Sequence, residues 1–248
     1  MRPSKRIGIR MIIVTVRTLN EEHRIGQFCQ AYKDADKILV ADGGSQDNTM
    51  SIAKSFSNVE IRNYDKRVYL NKGYWRNNDS DHANFLFEWA YSYKPNWVIF
   101  DDVDCRPNHL LKQDYIRILE NTENDVVLAV RVYLLGEYQY FPKLSSPLGE
   151  KYGQGSLWAW RGSVDLWMID QFPHFFIRIG GTKINELRTD AKCLELIFPY
   201  CLLHYSWDTP ERTDAKLKYH RESGLTPNIK HPLEYGGNLK DLESFMHE

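Results

Sequence analysis

The first 130 residues alternate between strand-like and helix-like hydrophobic patterns, and this alternation constrains the fold more than any other feature. Short apolar, β-branched runs predict buried strands at Met11–Val16, Lys37–Ala41, Val59–Arg62 and Trp97–Phe100. Between them, apolar residues recur at helical spacing: Ile25, Phe28, Cys29 and Tyr32; Ile52, Ala53 and Phe56; Phe85, Leu86, Trp89, Ala90 and Tyr93. Such repeated strand–helix units predict an α/β fold with a mostly parallel central sheet and helices on both faces.

Polar residues at the expected helix starts predict where these helices begin. Asn20 is placed to cap the first helix, Asp47 the second and Asp81 the third. Glu21 and Glu22 would then lie in the first turn, where the helix dipole favours negative charge.

The second half of the chain gives a less regular pattern. We expect a helix around Leu111–Leu119, a strand at Val126–Val132 and loop structure over 135–155. Two strand-like runs follow at Ser156–Arg161 and Ile197–His204, and a polar helix is expected over 209–223.

Composition excludes several classes of protein. The 248 residues are 42% hydrophobic and 26% charged, as in an ordinary globular chain. A net charge of −1 argues against a nucleic-acid-binding role, because binding a long phosphate backbone needs a basic face. Four cysteines without a Cys-x-x-Cys pair indicate reduced thiols and a cytoplasmic location. No apolar run is long enough to span a bilayer, which leaves peripheral contact with a membrane open.

Acidic residues follow two of the predicted strands. Ligands of parallel α/β sheets bind beyond the carboxyl ends of the strands, so Asp42 and Asp102 are expected on one rim. Asp102 and Asp104, one residue apart, offer oxygen ligands that suit Mg²⁺ or Mn²⁺ and a diphosphate. The alternative is ordinary acidic turn chemistry. Asp101 is expected to lie outside the motif.

Two further segments carry candidate ligand contacts. The turn at 42–45, Asp-Gly-Gly-Ser, lets the backbone approach a ligand closely through Gly43, and Asp42 is placed to accept hydrogen bonds from a base or ribose. Lys72 and Arg76 are candidates to pair with a diphosphate, the alternative being a solvated basic turn.

Taken in order, these motifs resemble a family 2 glycosyltransferase with the GT-A fold. The similarity lies in Thr18-Leu19-Asn20-Glu21, the turn at 42–47, Arg76-Asn77 and Asp102-Val103-Asp104, and it covers residues 10–110 closely. It implies a nucleotide-diphospho-sugar donor, most simply a UDP-sugar, a divalent metal and inversion at the anomeric carbon. Thr18, Asn20, Glu21, Asp42, Gly43, Lys72, Arg76 and Asp102 would then bind the nucleotide. Arg17 departs from the proline usual in the family.

The C-terminal half resembles bacterial members that glycosylate lipopolysaccharide-type acceptors. The segment 202–207 and the polar helix after it carry this similarity. It implies a glycan or lipid-linked acceptor and a histidine, His204, that reaches the metal or the diphosphate, the alternative being a structural histidine. The metal ligands implied by the family are then Asp104 as the main ligand, Asp102 on the ribose or metal side, and His204. That helix contains Lys216, Lys218, Tyr219 and Arg221, and its lysines either touch phosphate or form a solvated face.

An inverting transfer needs a carboxylate to take the proton of the acceptor hydroxyl. The sequence offers Glu186, Asp190, Glu195 and Asp165. Glu186 stands roughly where similar proteins carry the catalytic acid, with Asp190 as the reserve. Three tryptophans are either sugar-stacking platforms or core residues: Trp158, Trp160 and Trp167.

We therefore expect one GT-A domain over residues 1–248, with residues 1–110 binding the nucleotide sugar and 111–248 the acceptor. A sugar-phosphate nucleotidyltransferase is one alternative, although Arg17–Glu22 contains no glycine for the loop it would need. A non-catalytic nucleotide-sugar-binding protein is another. Transfer of a sugar to a modified nucleic-acid base also stays open.

Overall fold

The computed structural model describes residues 11–64, 66–69, 75–77, 79–135, 139–140, 156–171, 174–179, 182–183, 193–207, 209–222 and 240–241. The helices in these segments are α1 Ile25–Ala31, α2 Thr49–Lys54, α3 Asp79–Tyr91, α4 His109–Asn121 and α5 Pro210–Glu222. The strands are β1 Ile12–Thr18, β2 Lys37–Asp42, β3 Val59–Asn63, β4 Arg67–Tyr69, β5 Trp75–Asn77, β6 Trp97–Phe100, β7 Cys105–Pro107, β8 Val126–Leu135, β9 Gln139–Tyr140, β10 Ser156–Arg161, β11 Leu166–Gln171, β12 His174–Ile179, β13 Thr182–Lys183, β14 Cys193–Trp207 and β15 Lys240–Asp241.

The main sheet is parallel in its first half. Strands β6, β1, β2 and β3 are adjacent in that order and parallel throughout, as the sequence predicted. Beyond β6 the sheet is mixed, because antiparallel β10 lies between β6 and β8. Strand β14 then runs parallel to β8 and antiparallel to β7. This last pairing brings a distant part of the chain to the end of β6.

Helices cover both faces of this sheet. Val14 and Ile38 belong to a buried cluster with residues of α1 and α4. Their neighbours Ile13 and Leu39 point to the opposite face, into a second cluster built on α3. A strand buried on both faces reads as a continuous apolar run rather than an alternating one, which explains the apolar character of 11–16.

Trp158 and Trp160 are fully buried in these two clusters. Trp160 donates from Nε1 to the hydroxyl of Tyr91 at 2.9 Å. Their sequence alternative as sugar-stacking platforms is therefore wrong, since burial leaves no ring face for a ligand. Trp167 is half-buried, and its Nε1 donates to Asp165 at 2.5 Å.

Two of the expected helix caps are wrong. Helix α1 begins only at Ile25, after Arg24, and no side chain caps it. Asn20 instead adopts a left-handed backbone conformation (φ 56°) in the loop before it. Asp81 lies inside α3, which begins at Asp79. The side chain of Asn20 does not cap α1 because it accepts a hydrogen bond from the turn between β2 and α2 instead.

The sequence did not predict several short strands. Strand β7 follows the acidic turn directly, and β11, β12 and β13 form a separate three-stranded antiparallel sheet. Strand β7 has only three residues and pairs with β14, far away in the chain, so the local pattern gives little sign of it. In the part of the chain that the structure describes, no helix combines the length and apolar character needed to cross a membrane.

Candidate active site

The turn after β2 is organised around the buried carboxylate of Asp42. Its Oδ2 accepts hydrogen bonds from the backbone N–H groups of Gly44 (3.0 Å) and Ser45 (2.9 Å). Its Oδ1 accepts from the hydroxyls of Thr18 (3.1 Å) and Ser45 (2.5 Å). Gly44 has φ 92°, a conformation that favours glycine. Asp42 therefore shapes the rim of the sheet, with three donors from its own turn and one from Thr18 at the end of β1.

The loop after β1 is hydrogen-bonded to this turn. Asn20 donates its N–H to the Ser45 hydroxyl and accepts from the N–H of Gln46 through Oδ1, both at 2.8 Å. Glu22 donates its N–H to Asp47 at 3.1 Å. Asp47 also accepts from the N–H of Thr49 and so supports the start of α2, one residue before the N-cap. The two loops expected at the nucleotide are thus joined by hydrogen bonds.

Asp102 is held between two arginines. Arg17 Nη2 lies 3.2 Å from Oδ1, and Arg131 Nη1 lies 3.2 Å from Oδ2. Burial opposes ionisation of this carboxyl, but the charges of Arg131 and Arg17 more than offset it and keep its pKa below the ordinary value. Asp102 is therefore a carboxylate whose two oxygens both face guanidinium groups.

Asp101 is fully buried and is bonded to core side chains. Its Oδ2 accepts from the hydroxyl of Tyr32 at 2.9 Å, and Trp158 Nε1 donates to the same hydroxyl at 3.1 Å. Burial raises the pKa of Asp101 to about 7, opposed by the nearby charge of Arg131. This residue anchors the acidic turn to the core.

Asp104 and His204 meet at the end of β6. His204 Nε2 lies 3.3 Å from Asp104 Oδ2, and the backbone N–H of Tyr205 donates to the Asp104 carbonyl at 2.7 Å. Burial would raise the pKa of Asp104, but the charge and hydrogen bond of His204 lower it well below its ordinary value. The pair exists because β14 returns beside β7.

Helix α5 brings positive charge to the same place. Arg212 Nη2 lies 3.6 Å from the carboxylate of Glu21. Burial and the nearby charge of Asp104 raise the pKa of Glu21 to about 7, whereas Arg212, Arg24 and Lys216 act in the opposite direction. Lys216 also acts on Asp104. By contrast, Lys218 is exposed.

The remaining sequence candidates are distributed as follows. Lys72, Glu186 and Asp190 lie outside the described residues, and Arg76 belongs to β5 with only its backbone described. Asp165 and Glu195 are exposed. Among the residues that the structure does describe, it brings together these candidates: Thr18, Asn20, Glu21, Asp42, Gly43, Asp102, Asp104 and His204.

Sequence reasoning missed two cations of the site. Arg131 ion-pairs with Asp101 (3.6 Å) and Asp102 from within the apolar strand β8. The signal was present, since a lone arginine inside a buried strand needs a charged partner. Arg212 carried no such signal, because it belongs to an evenly polar helix.

Residues 13–184 match the family described as glycosyl transferase family 2, which is more than half of the chain. The chain belongs to glycosyltransferase family 2. The match includes Asp42, Asp102 and Asp104 but ends before His204. No curated protein sequence matches this transferase.

Solved structures give the fold. The S. aureus TarS fragment 1–349 superposes with a TM-score of 0.52 at 15% identity, over 89% of this chain and 67% of the fragment. The same fragment in complex with UDP-GlcNAc gives a TM-score of 0.51 at 14% identity, over 89% and 68% of the two chains. The transferase spans 41% of the longer TarS chain. The mixed α/β architecture is thus the GT-A fold.

A third structure is less similar. Glucosyl-3-phosphoglycerate synthase from Mycobacterium tuberculosis, in complex with Mn²⁺, UDP and glucosyl-3-phosphoglycerate, has a TM-score of 0.39 at 19% identity, over 62% of this chain and 57% of the synthase. A structural similarity this low gives no argument that the present chain binds Mn²⁺. Family and fold together establish a nucleotide-sugar glycosyltransferase.

Proposed function

We propose that this chain transfers a sugar from a UDP-sugar to a hydroxyl acceptor, with inversion at the anomeric carbon and with a divalent metal ion. The family supplies the reaction class. The TarS fragment, which shares the fold, was crystallised with UDP-GlcNAc, which supports a uridine nucleotide as the first choice. The single observation that carries the metal dependence is the contact between Asp104 and His204.

The residues at this contact fit a divalent cation. Asp104 Oδ2 and His204 Nε2 lie 3.3 Å apart, close enough for one ion to contact both. A carboxylate suits Mg²⁺ or Mn²⁺, and an imidazole adds a preference for a transition metal, so the pair favours Mn²⁺. Asp102 is a weaker candidate because Arg17 and Arg131 already neutralise it.

The metal would supply positive charge to the diphosphate as it leaves. Arg212 and Lys216 stand one helical turn apart on α5, close to Glu21 and Asp104. We propose that they add charge on the same side, together with Lys72 and Arg76. Preorganised cations stabilise the developing charge more than mobile water does.

The nucleotide would lie along the rim formed by the β1 and β2 loops. Asp42 fixes the turn, so the exposed polar groups of that turn and of Asn20 keep a defined position for the base and ribose. Asp102 lies across the rim at the end of β6, where its arginine pairs hold it in place.

The transfer itself is a direct displacement. The acceptor oxygen forms a bond to the anomeric carbon while the bond from that carbon to the diphosphate oxygen breaks, and a carboxylate takes the hydroxyl proton. Glu186 is our choice for that carboxylate and Asp190 the reserve. We propose that residues 111–248 shape the acceptor site, for a glycan or lipid-linked saccharide.

Calorimetry of UDP binding with and without Mn²⁺ tests this proposal. We expect Mn²⁺ to strengthen binding of UDP to the wild-type chain. Asp104→Asn and His204→Ala should each weaken the Mn²⁺-dependent part at least about tenfold, because even indirect support of a metal ligand is worth 10–100-fold. Asp34→Asn is the matched control, since Asp34 is exposed and precedes the amino end of β2, at the opposite end of the strands from Asp104.

Equal UDP affinity with and without Mn²⁺ in the wild-type chain would contradict the metal dependence. If Mn²⁺ strengthens binding but Asp104→Asn behaves like the Asp34 control, the ion binds elsewhere. Measuring Glu186→Gln and Asp190→Asn in a transfer assay then locates the base, because loss of turnover with unchanged UDP binding marks the proton acceptor.

A further inference from the structure

We propose that Cys105 completes a three-ligand site with Asp104 and His204 that binds a thiophilic divalent cation, Zn²⁺, in place of Mn²⁺ or Mg²⁺. The inference rests on the proposed metal site and adds a thiol ligand to it. It gives the transferase a means of inhibition by zinc. Neither the family resemblance nor the spacing of the acidic motif pointed to this cysteine.

Strand pairing puts the cysteine on the histidine's side of the sheet. Cys105 in β7 and His204 in β14 are directly opposite each other in an antiparallel ladder. Side chains of directly opposed residues leave the ladder on the same face. One ligand atom from each of Asp104, Cys105 and His204 lies within 4.8 Å of the other two. A single cation can therefore reach all three after small side-chain movements.

The donor set selects the type of metal. A thiolate, an imidazole and a carboxylate together are typical ligands of Zn²⁺, whereas Mg²⁺ prefers oxygen alone. Affinity for such a mixed site also rises from Mn²⁺ towards Zn²⁺ in the usual metal order. Zinc would thus bind more tightly here than the ion that supports UDP binding.

Binding changes the state of the thiol. Cys105 is 1% exposed, and coordination releases its proton to solvent as the sulfur–metal bond forms. Three protein ligands around tetrahedral zinc leave one position, whereas octahedral Mn²⁺ on two protein ligands keeps four positions for phosphate and water. Zinc should therefore compete with Mn²⁺ and weaken UDP binding.

Spectroscopy with Cd²⁺ tests the thiol ligand without any assay of activity. Cadmium is a thiophilic stand-in for zinc, and a cadmium–thiolate bond absorbs in the ultraviolet. We expect one equivalent of Cd²⁺ to produce this absorption in the wild-type chain. Cys105→Ser should abolish it, and Cys193→Ser should retain it, since Cys193 is a half-buried cysteine at the far end of β14. Thermal melting of the metal-free variants confirms that each is folded.

Titration of the wild-type chain with Cd²⁺ tests for a thiolate ligand even if Cys105→Ser does not fold. Stoichiometric Cd²⁺ binding without thiolate absorption overturns the proposal, and so does absorption that survives in Cys105→Ser. Zinc affinity should fall at least about tenfold in Cys105→Ser, as expected for loss of a direct ligand. Mn²⁺-dependent UDP binding by the wild-type chain is scored separately. Its absence refutes the proposed function whatever the cadmium result shows.

Discussion

At the scale of single residues, the surroundings of an acid decide what it can bind. Asp102 and Asp104 are one residue apart, yet the first faces two arginines and the second faces a histidine. The resemblance to the family ranked Asp104 ahead of Asp102 as a metal ligand. The structure adds a physical reason for that order, since a carboxylate already neutralised on both oxygens has less to offer a cation.

Arg131 should be essential for stability as well as for the site. Its guanidinium is the cationic partner of buried Asp101 and of Asp102. Arg131→Met leaves both acids without this charge, and breaking a buried pair typically costs about 3–5 kcal/mol. We therefore expect the free energy of unfolding, measured in urea at neutral pH, to fall by about 3 kcal/mol.

The control for this prediction is Arg117→Met on α4. Arg117 also contacts an aspartate, at 2.7 Å, but its side chain is 64% exposed. Surface pairs contribute about 0–1 kcal/mol, so this variant should lose little stability. Equal losses in the two variants would show that the buried charge cluster does not stabilise the fold.

At the scale of elements, the sequence predicted what local patterns determine. Strand β6 and strand β10 have the bounds predicted for them, and β1, β2 and β3 differ by one or two residues. These strands are continuous apolar runs, which the local sequence is enough to predict. The same holds for the polar helix α5.

The pairing of strands that are distant in the chain could not be predicted from local sequence patterns. Strand β14 extends over Cys193–Trp207, about twice the predicted run, because β8 and β7 both supply partners along it. The Asp104–His204 contact follows from that pairing, and 100 residues separate the two in the chain. The similarity to the family implied this contact, whereas periodicity alone gave no sign of it.

Helix α5 allows a test of its role at the donor. Lys216 is half-buried and its charge reaches Glu21 and Asp104, whereas Lys218 on the same helix is exposed. We expect Lys216→Ala to raise KM for the donor about tenfold, since a charge-assisted contact is worth roughly 1.5–3 kcal/mol. Lys218→Ala should leave KM unchanged. A similar rise of KM in both variants would contradict a specific role for Lys216, because it would show that only the total charge of the helix matters.

At the scale of the whole molecule, buried titratable groups set the pH range of stability. His82 on α3 contacts the carbonyl of Ala41 at 3.0 Å and stacks on Tyr64 with ring centroids 4.5 Å apart. Burial, together with the charge of Arg17, lowers the pKa of His82 to about 4 from 6.5. Between these values the unfolded chain binds a proton that the folded chain does not.

The contribution of His82 to stability should therefore be lost as the pH falls from about 6.5 to 4. The loss is at most roughly 3 kcal/mol, at 1.36 kcal/mol for each unit of pKa difference. Asp101 acts in the opposite direction, because its raised pKa costs stability as the pH rises towards 7. In urea unfolding from pH 7 to 4, the stability of His82→Gln should rise relative to that of the wild-type chain, because the variant lacks the buried imidazole. Exposed His109→Gln is the control, and identical profiles for all three chains would exclude this role for His82.

The central claim is that the rim between β1, β2 and β6 binds and activates a nucleotide sugar with the help of a metal at Asp104. Release of free nucleotide from a panel of nucleotide sugars, with Mn²⁺ or with a chelator, measures it most directly. We predict slow hydrolysis of at least one UDP-sugar by the wild-type chain with Mn²⁺. The chelator and Asp104→Asn should both abolish it. Equal nucleotide release under all three conditions, or none from any donor by folded protein, would contradict the account.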